Sequence, residues 1–389
     1  MKKIPWQKLF WLVLSWRLAL LLLALVADHF LVYAPSFPYS KEILAKLTTG
    51  RWLYSWANFD GVHYLTIASK GYLETALIQA FFPVFPLMLS LLKAIFGQYF
   101  FIMALLSQFL LTWLLSGLFF YLLKVVLQKS SSISWWAVII LLIFPTSFFL
   151  GALYNESLFL IVVLASFIFA HHKQWWWAGI MGALASATRV VGIALWPALI
   201  VEWWLSKNKP LTMENITKEI KAGWGELVQL SISVLGLAGY MLYLHNTFAD
   251  PLYFFHVQSE FGAGREEGLI LLPQVIWRYL KILTTTPLDW KYFAYAQEFF
   301  FSIGFFGLLI WFWKRVKASY LIFALLVLIV PTLTGTFSSM PRYVLAAFPF
   351  YYLLADWLNN QPTRFLVLAL SGLLLIINTL LFIQGYWVA

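Results

Sequence analysis

The side chains best suited to chemistry in this sequence lie in a polar stretch, residues 56–64, which reads WANFDGVHY. If the stretch is helical, Asp60 and Tyr64 lie one turn apart. A carboxylate in such a position can act as a general base that takes the proton of a hydroxyl group. We interpret Asp60 as the candidate catalytic base, and His63 and Tyr64 as candidate substrate contacts. A solvated loop carboxylate and a packed or hydrogen-bonded histidine are the alternatives.

A second polar stretch, residues 153–157, reads LYNES and lies between two apolar runs. Polar groups so close to hydrocarbon are costly unless they face a cavity or a partner. We therefore predict that Glu156 holds an acceptor hydroxyl or supports a substrate, with Tyr154 and Asn155 as further substrate contacts. A plain polar turn between two helices would give the same pattern.

Two arginines stand beside side chains that carry hydroxyl groups. Arg189 ends the run SATR, and Arg342 lies in the run SSMPRY, where Tyr343 follows it. A guanidinium group presents its donors in a fixed fork and is the usual anchor for a phosphate. Arg189, Arg342 and Tyr343 are therefore predicted to bind the phosphate of a lipid. The alternative for each arginine is a side chain that reaches the membrane head groups.

The composition places these stretches in a membrane protein. The chain has 389 residues, of which 62% are hydrophobic and 11% charged, and its mean hydropathy is +0.82. A soluble core of this size does not need so much apolar surface, whereas repeated bilayer crossing by helices does. The net charge of +10 is scattered over short loops, which argues against nucleic-acid binding. The lack of cysteine excludes disulfides, cysteine-ligated metals and thiol nucleophiles.

Long apolar runs predict an all-α polytopic bundle of about 11 transmembrane helices, which forms a single domain over residues 1–389. Two long segments, 34–98 and 246–297, are predicted as the first and second outer loops. In the first loop, we predict two helices that lie along the membrane, at 50–69 and 81–96. We predict the first helix from an apolar stripe at helical spacing, which is formed by Trp52, Trp56, Phe59, His63 and Ile67. The predicted spans are 9–31, 100–127, 133–150, 155–170, 175–187, 190–205, 227–245, 299–313, 320–334, 343–358 and 365–384.

Basic residues in the short loops predict the orientation, because such residues are enriched on the cytoplasmic side. With the N-terminus inside, the inner side receives the basic groups Lys2, Lys3, Lys8, Lys124, Lys129, Lys314, Arg315 and Lys317. Most acidic residues then fall outside, so the polar stretches gather at the outer face. The first apolar run is too long for a signal-peptide core, and we expect it to remain as an anchor.

These motifs together resemble those of the PIG-V-type mannosyltransferases, which add the second mannose to GPI anchors in eukaryotes and have bacterial relatives. Residues 59–64 (FDGVHY) and 82–86 (FPVFP) are similar to the start of that family, and 154–159 (YNESLF) to its Glu-Ser-Leu-Phe stretch. Residues 187–192 resemble its Thr-Arg-x-x-Gly element, and 340–343 (MPRY) its late arginine motif. The matches follow one order and cover most of the chain.

The resemblance implies a GT-C fold, a polyprenyl-phosphate sugar donor, a catalytic aspartate in the first outer loop and inversion at the anomeric carbon. It implies transfer of a sugar, with mannose as the first choice, to a hydroxyl group of a lipid- or glycan-linked acceptor. The reaction would occur at the outer face of a bacterial-type cytoplasmic membrane. Phe59 stands where many relatives carry Trp, which keeps the aromatic character.

Several questions stay open at this point. The donor sugar and the acceptor are not determined, and the spacing of Asp60 and Glu156 neither requires nor excludes a divalent metal ion. A lipid or sugar transporter or flippase is an alternative, although repeated halves of broken helices are not visible in the sequence. A GT-C enzyme that uses a different lipid-linked sugar is another.

Overall fold

The computed structural model of the protein describes residues 4–47, 49–261, 264–266, 268–359 and 362–388. Lys2 and Lys3, predicted on the inner side, lie outside the described residues. Within these ranges the chain forms helices and turns, and no β-strand.

The secondary structure consists of many helices, several of them short. The α-helices are α1 (Trp6–Val26), α2 (Arg51–Tyr54), α3 (Asp60–Lys70), α4 (Val84–Phe96), α5 (Phe100–Tyr121), α6 (Ser131–Ile143), α7 (Glu156–His171), α8 (Trp175–Ser186), α9 (Leu195–Ser206), α10 (Met213–Ala222), α11 (Trp224–Ser231), α12 (Leu235–Phe248), α13 (Tyr253–His256), α14 (Leu272–Thr285), α15 (Trp290–Trp311), α16 (Ala318–Thr332), α17 (Met340–Ala346), α18 (Pro349–Leu358) and α19 (Arg364–Ile383). Turns of 3-10 helix occupy Ala27–His29, Leu44–Lys46, Ser55–Ala57, Ile78–Ala80, Gly97–Tyr99, Ser147–Leu150, Val190–Ala194, Ile232–Val234, Ser259–Phe261 and Trp313–Arg315. A π-helical turn, Leu122–Val126, follows α5.

By length and composition, several of these helices can cross a membrane. Five stretches qualify among the described residues, namely Trp6–His29, Val84–Val126, Trp224–Phe248, Trp290–Trp311 and Arg364–Ile383. Shorter apolar stretches of 10–17 residues lie at Ser131–Ile143, Glu156–His171, Val190–Ser206 and Ala318–Thr332. This pattern is that of a helical membrane protein, as predicted, while the count of about 11 spans stays a prediction.

Two of the predicted spans, 133–150 and 343–358, are broken in the structure, and a proline follows each break. In the first, α6 ends at Ile143, and the residue before Pro145 has an extended backbone with ψ of 141°. The second is divided between α17 and α18, and Pro349 is the first residue of α18. The prediction of a continuous helix was wrong for both spans. Proline disfavours helical geometry in the residue before it, which accounts for the break at Phe144. In the second span the chain leaves helical geometry at Ala347, where ψ is 59°, and Pro349 starts the new helix, where its missing N–H costs nothing.

The single helix predicted over 50–69 is also wrong. The chain forms α2, then a 3-10 turn, and then breaks at Phe59, where φ is +56° and ψ is −116°, before α3 begins. The predicted apolar stripe does not lie free at a surface, because Trp56, His63 and Ile67 are all buried within the protein. Only Trp52, at 38% exposure, remains open. The stripe instead packs the site segment against the helical bundle.

The helix predicted over 81–96 is present as α4, and its placement along the membrane surface stays a prediction. The helix ends at Gly97, whose φ of +51° is a conformation that glycine adopts at little cost. A 3-10 turn then leads into α5.

The central helix of the bundle is α7, which contacts α5, α8, α9 and α17. Almost all of its side chains are buried, including Phe159, Val163 and Phe167. A helix that is apolar on all sides is expected in the interior of a bundle. Because Glu156 is the first residue of α7, the bundle holds this carboxylate at a fixed point in its interior.

Candidate active site

A cavity of about 490 Å³ opens between residues 34–98, α15, α17 and the segment that follows α8. Its volume falls in the range of small-molecule sites in proteins. The wall is partly aromatic and partly charged. It is formed by Ser36, Phe37, Pro38, Phe59, Asp60, His63, Tyr64, Ala80, Phe81, Phe82, Asn155, Thr188, Arg189, Val190, Val191, Phe254, Gln258, Arg265, Lys291, Ala294, Tyr295, Glu298, Ser338, Ser339, Arg342, Tyr343 and Trp387.

Asp60 and Arg342 form an ion pair in this wall. The Nη1 atom of Arg342 donates to Oδ2 of Asp60 over 2.5 Å, and the two side chains are only 11% and 18% exposed. Asp60 is the first residue of α3, where the helix dipole favours a negative charge. Its other oxygen, Oδ1, accepts no hydrogen bond from the part of the chain that the structure describes. That oxygen is therefore free to accept a proton from a bound molecule.

Glu156 joins this pair to a second arginine. Its Oε1 atom lies 2.7 Å from Nη1 of Arg189 and 3.3 Å from Nε of Arg342. Glu156 and Arg189 are 3% and 8% exposed, so neither charge is screened by bulk water. Two carboxylates and two guanidinium groups give this buried quartet a net charge of zero. Buried charges are tolerated when they are paired in this way.

The two polar stretches of the sequence meet directly at the site. Tyr154 accepts a hydrogen bond from the backbone N–H of Asp60 over 3.2 Å and donates to the carbonyl oxygen of Asn58 over 2.9 Å. The backbone N–H of Leu153 donates to the carbonyl oxygen of Trp56 over 2.8 Å. The phenol therefore fixes the backbone on both sides of the break that precedes α3.

The backbone at Phe59 has a conformation that is costly for a side chain with a Cβ atom. Its ring lies 4.6 Å from that of Phe37, 5.5 Å from Trp387 and 5.9 Å from Phe382, measured between centroids. The preceding residue, Asn58, donates through Nδ2 to the carbonyl oxygen of Phe382 over 2.7 Å. This packing holds the strained peptide and thereby sets the direction of the aspartate that follows.

The remaining predicted residues are held by specific contacts. Asn155 donates through Nδ2 to the carbonyl oxygen of Thr188 over 3.0 Å. The guanidinium carbon of Arg189 lies 4.9 Å from the ring centroid of Tyr343, which is a cation–π distance. Asn155 therefore ties the start of α7 to the segment that carries the second arginine.

The titratable rings beside Asp60 are shifted toward their neutral forms. Burial lowers the pKa of His63, against the opposing charge of Asp60, and the imidazole stacks on Phe81 at 4.9 Å. Burial and the nearby carboxylates raise the pKa of Tyr64 well above its usual value. Burial alone would lower the pKa of Arg342, but Asp60 and Glu156 raise it well above its ordinary value. The arginine therefore stays charged while the two rings stay neutral near pH 7.

Seven of the nine predicted site residues line the cavity. They are Asp60, His63, Tyr64, Asn155, Arg189, Arg342 and Tyr343. Tyr154 and Glu156, predicted as substrate contacts, are not among its lining residues and are only 1% and 3% exposed. They lie behind the wall and hold Asp60 and the two arginines in place. Their role in the structure is thus to position other groups.

The carboxylates of Asp60 and Glu156 each have one oxygen in an ion pair with an arginine, which is Arg342 for Asp60 and Arg189 for Glu156. Among the described residues, no group of three or more His, Cys, Asp or Glu side chains could hold a metal ion. A divalent ion at these carboxylates stays a prediction.

Three charged lining residues were not predicted as part of the site. Glu298, on α15, is 1% exposed and accepts hydrogen bonds from Tyr279 over 2.6 Å and from the backbone N–H of Ser339 over 3.2 Å. Arg265 comes from the segment between α13 and α14, and Lys291 from the start of α15. Each stands alone in the sequence without a motif. For Glu298 the sequence did offer one signal, because a carboxylate inside an apolar run indicates a functional position. For Arg265 and Lys291 it offered none.

No protein-family model, curated protein or solved structure matches the chain. Its function is therefore inferred from the cavity, from the charges in its wall and from the sequence motifs.

Proposed function

We propose that this chain is a membrane glycosyltransferase of the GT-C type, with about 11 spans. It transfers a sugar, mannose in the first instance, from a polyprenyl-phosphate donor to a hydroxyl group of a lipid- or glycan-linked acceptor. The cavity faces the outer side of a bacterial-type cytoplasmic membrane. The observation that carries the proposal is the convergence of Asp60, Glu156, Arg189 and Arg342, from four separate motifs, at one cavity in an apolar helical chain.

The proposed reaction is a single displacement. Oδ1 of Asp60 accepts the proton of the acceptor hydroxyl as its oxygen attacks the anomeric carbon of the donor sugar. The bond between that carbon and the phosphate oxygen breaks at the same time, so the configuration inverts. The polyprenyl phosphate leaves with one more negative charge than the donor carried. Positive groups around the cavity stabilise that charge.

The ion pairs give Asp60 a fixed direction. Arg342 pairs with Oδ2, Glu156 pairs with Arg342, and Arg189 pairs with Glu156, so Oδ1 is the oxygen left for the acceptor. Such preorganisation lowers the entropic cost of aligning the hydroxyl with the sugar. His63 and Tyr64 line the same wall and supply polar contacts for the sugar or the acceptor.

The proposal is tested by transfer of radiolabelled sugar in purified protein reconstituted in lipid nanodiscs. Mannosyl, glucosyl and arabinosyl polyprenyl phosphates are compared as donors, with a lipid extract as acceptor, and products are separated by thin-layer chromatography. We expect a labelled product with inverted anomeric configuration from one donor. Failure to form any new glycosidic bond, with movement of intact lipid across vesicles instead, would favour a transporter.

The proposed sidedness is tested by labelling single cysteines, since the sequence has none of its own. Cysteine is placed at the exposed positions Lys41, Lys281 and Lys209. We expect a membrane-impermeant maleimide to label the first two in intact cells, and the third only after the cells are opened. The opposite pattern would place the cavity on the cytoplasmic side.

A further inference from the structure

The cations around the cavity fall into two groups. Arg189 and Arg342 are neutralised by Asp60 and Glu156, so they have little net charge to offer a bound anion. Arg265 and Lys291 also line the cavity, and neither makes an ion pair with any carboxylate in the described parts of the chain. The uncompensated positive charge therefore lies away from the motifs that the sequence pattern highlighted.

The neighbours of Arg265 hold it in place. Its Nη1 atom donates to Oε1 of Gln258 over 2.9 Å. The next residue, Glu266, donates through its backbone N–H to the carbonyl oxygen of Thr334 over 2.9 Å and pairs with Arg278 over 2.5 Å. The guanidinium group is thus fixed at the cavity while several of its donors stay open.

A smaller cavity of about 100 Å³ adjoins the first. Its wall is mainly apolar, with Phe254, Phe255, Val330 and Pro331 among its residues. Arg265 lines both cavities. An isoprenoid phosphate is an apolar chain that ends in an anion, so its chain matches the apolar wall and its anion matches Arg265.

The charged residues that line the cavity beyond the quartet are Arg265, Lys291 and Glu298. Glu298 accepts hydrogen bonds from Tyr279 and from the backbone N–H of Ser339, and in the described structure it forms no ion pair with Arg265 or Lys291. The two cations are therefore available to an anionic phosphate group.

We propose that Arg265 and Lys291, rather than Arg189 and Arg342, bind the phosphate of an isoprenoid monophosphate, whose first isoprene units lie in the smaller cavity. This inference rests on the proposed glycosyl transfer and names the site of its donor. Arg189 and Arg342 then act on Asp60, and Arg265 and Lys291 act on the leaving group.

The test measures binding of undecaprenyl monophosphate to the full-length protein in nanodiscs, with undecaprenol as the uncharged comparison. We expect Arg265→Gln and Lys291→Gln each to weaken binding of the phosphate about tenfold, because each loses a charge-assisted contact. Binding of undecaprenol should not change. Lys281→Gln, an exposed lysine on α14 that does not line the cavity, is the matched control and should bind like the wild type.

Wild-type affinity in both glutamine variants would overturn the proposal, as would equal binding of undecaprenol and its phosphate by the wild type. If Arg265→Gln fails to fold, Arg265→Lys keeps the charge and should retain most of the affinity. Lys291 is exposed, so its glutamine variant should fold normally.

Failure of this inference can be told apart from failure of the proposed function. If the two variants lose phosphate binding but no sugar is transferred by the wild type, the phosphate site stands and the transferase proposal falls. If sugar is transferred but the donor KM is the same in the wild type and both variants, the transferase stands and the phosphate site is wrong.

Discussion

Arg342 lies 282 positions after Asp60 in the chain, yet its Nη1 atom is 2.5 Å from Oδ2 of that aspartate. The same guanidinium group lies 3.3 Å from Glu156 through Nε. One arginine therefore joins the start of α3, the start of the central helix α7 and the short helix α17.

Replacing Asp60 by Asn tests the proposed base directly. The amide cannot accept the proton of the acceptor hydroxyl, so we expect kcat to fall about 1000-fold, within the usual contribution of general-base catalysis. Binding of undecaprenyl monophosphate should persist, because the proposed phosphate site lies elsewhere. Turnover in the sugar-transfer assay and lipid binding in nanodiscs give the two readouts. Glu214→Gln, at an exposed position on α10, serves as the control. Near-normal turnover of Asp60→Asn would show that Asp60 is not the base.

Changing Tyr154 to Phe separates positioning from substrate contact. The variant removes the hydroxyl group that accepts from the N–H of Asp60 and donates to the carbonyl oxygen of Asn58. We expect kcat to fall about tenfold to a hundredfold through misplacement of Asp60, with the donor KM unchanged. Tyr320→Phe is the matched control, since the hydroxyl of Tyr320 is buried without a hydrogen-bond partner in the described structure. A rise in donor KM with kcat preserved would instead indicate direct contact with the sugar.

A double-mutant cycle on Glu156 and Arg189 tests the buried quartet. Either single change to Gln leaves an unpaired buried charge and should lower the unfolding free energy by about 3 kcal/mol. The double variant retains the neutral pair of Asp60 and Arg342, so it should cost at least about 1 kcal/mol less than the sum. Reversible unfolding in mixed detergent micelles measures the three differences.

The control cycle uses an exposed ion pair, formed by Lys70 at the end of α3 and Glu74 four positions later. Exposed pairs contribute at most about 1 kcal/mol, so its coupling should be small. Additive losses for Glu156→Gln and Arg189→Gln would show that the two charges are stabilised independently.

His63 predicts a pH dependence of stability. Burial lowers its pKa below the ordinary value of 6.5, so the unfolded chain binds more protons than the folded chain between the two pKa values. The stability contribution is thus complete above about pH 6.5 and declines as the pH falls toward the folded pKa. We expect Tm to drop less between about pH 7 and pH 5 in His63→Gln than in the wild type. His29→Gln, at an exposed position after α1, should follow the wild-type profile.

The sequence motifs identified the charged quartet because each of its members interrupts an apolar region. A charged side chain in an apolar region costs free energy unless it pairs with an opposite charge, and these four residues pair with one another. The broken helix at Phe59 could not be predicted in this way. Its positive φ falls on a residue that normally avoids that conformation, and tertiary contacts, namely aromatic rings around Phe59 and the hydrogen bonds of Tyr154, sustain it.

Arg265 and Lys291 were missed for a different reason. Single basic residues in a long polar loop look the same whether they face water or a cavity. Their placement depends on tertiary contacts such as the backbone hydrogen bond from Glu266 to Thr334. Such contacts join segments far apart in sequence and leave no local periodicity.

The hydrogen bond from Asn58 to the carbonyl oxygen of Phe382 spans 324 positions and has a consequence for biosynthesis. A ribosome makes the segment around Asp60 long before it makes α19. Until that last helix has been inserted, the strained peptide at Phe59 lacks two of its supporting rings, those of Phe382 and Trp387. The segment around Asp60 therefore reaches its final packing only when translation of the chain is nearly finished.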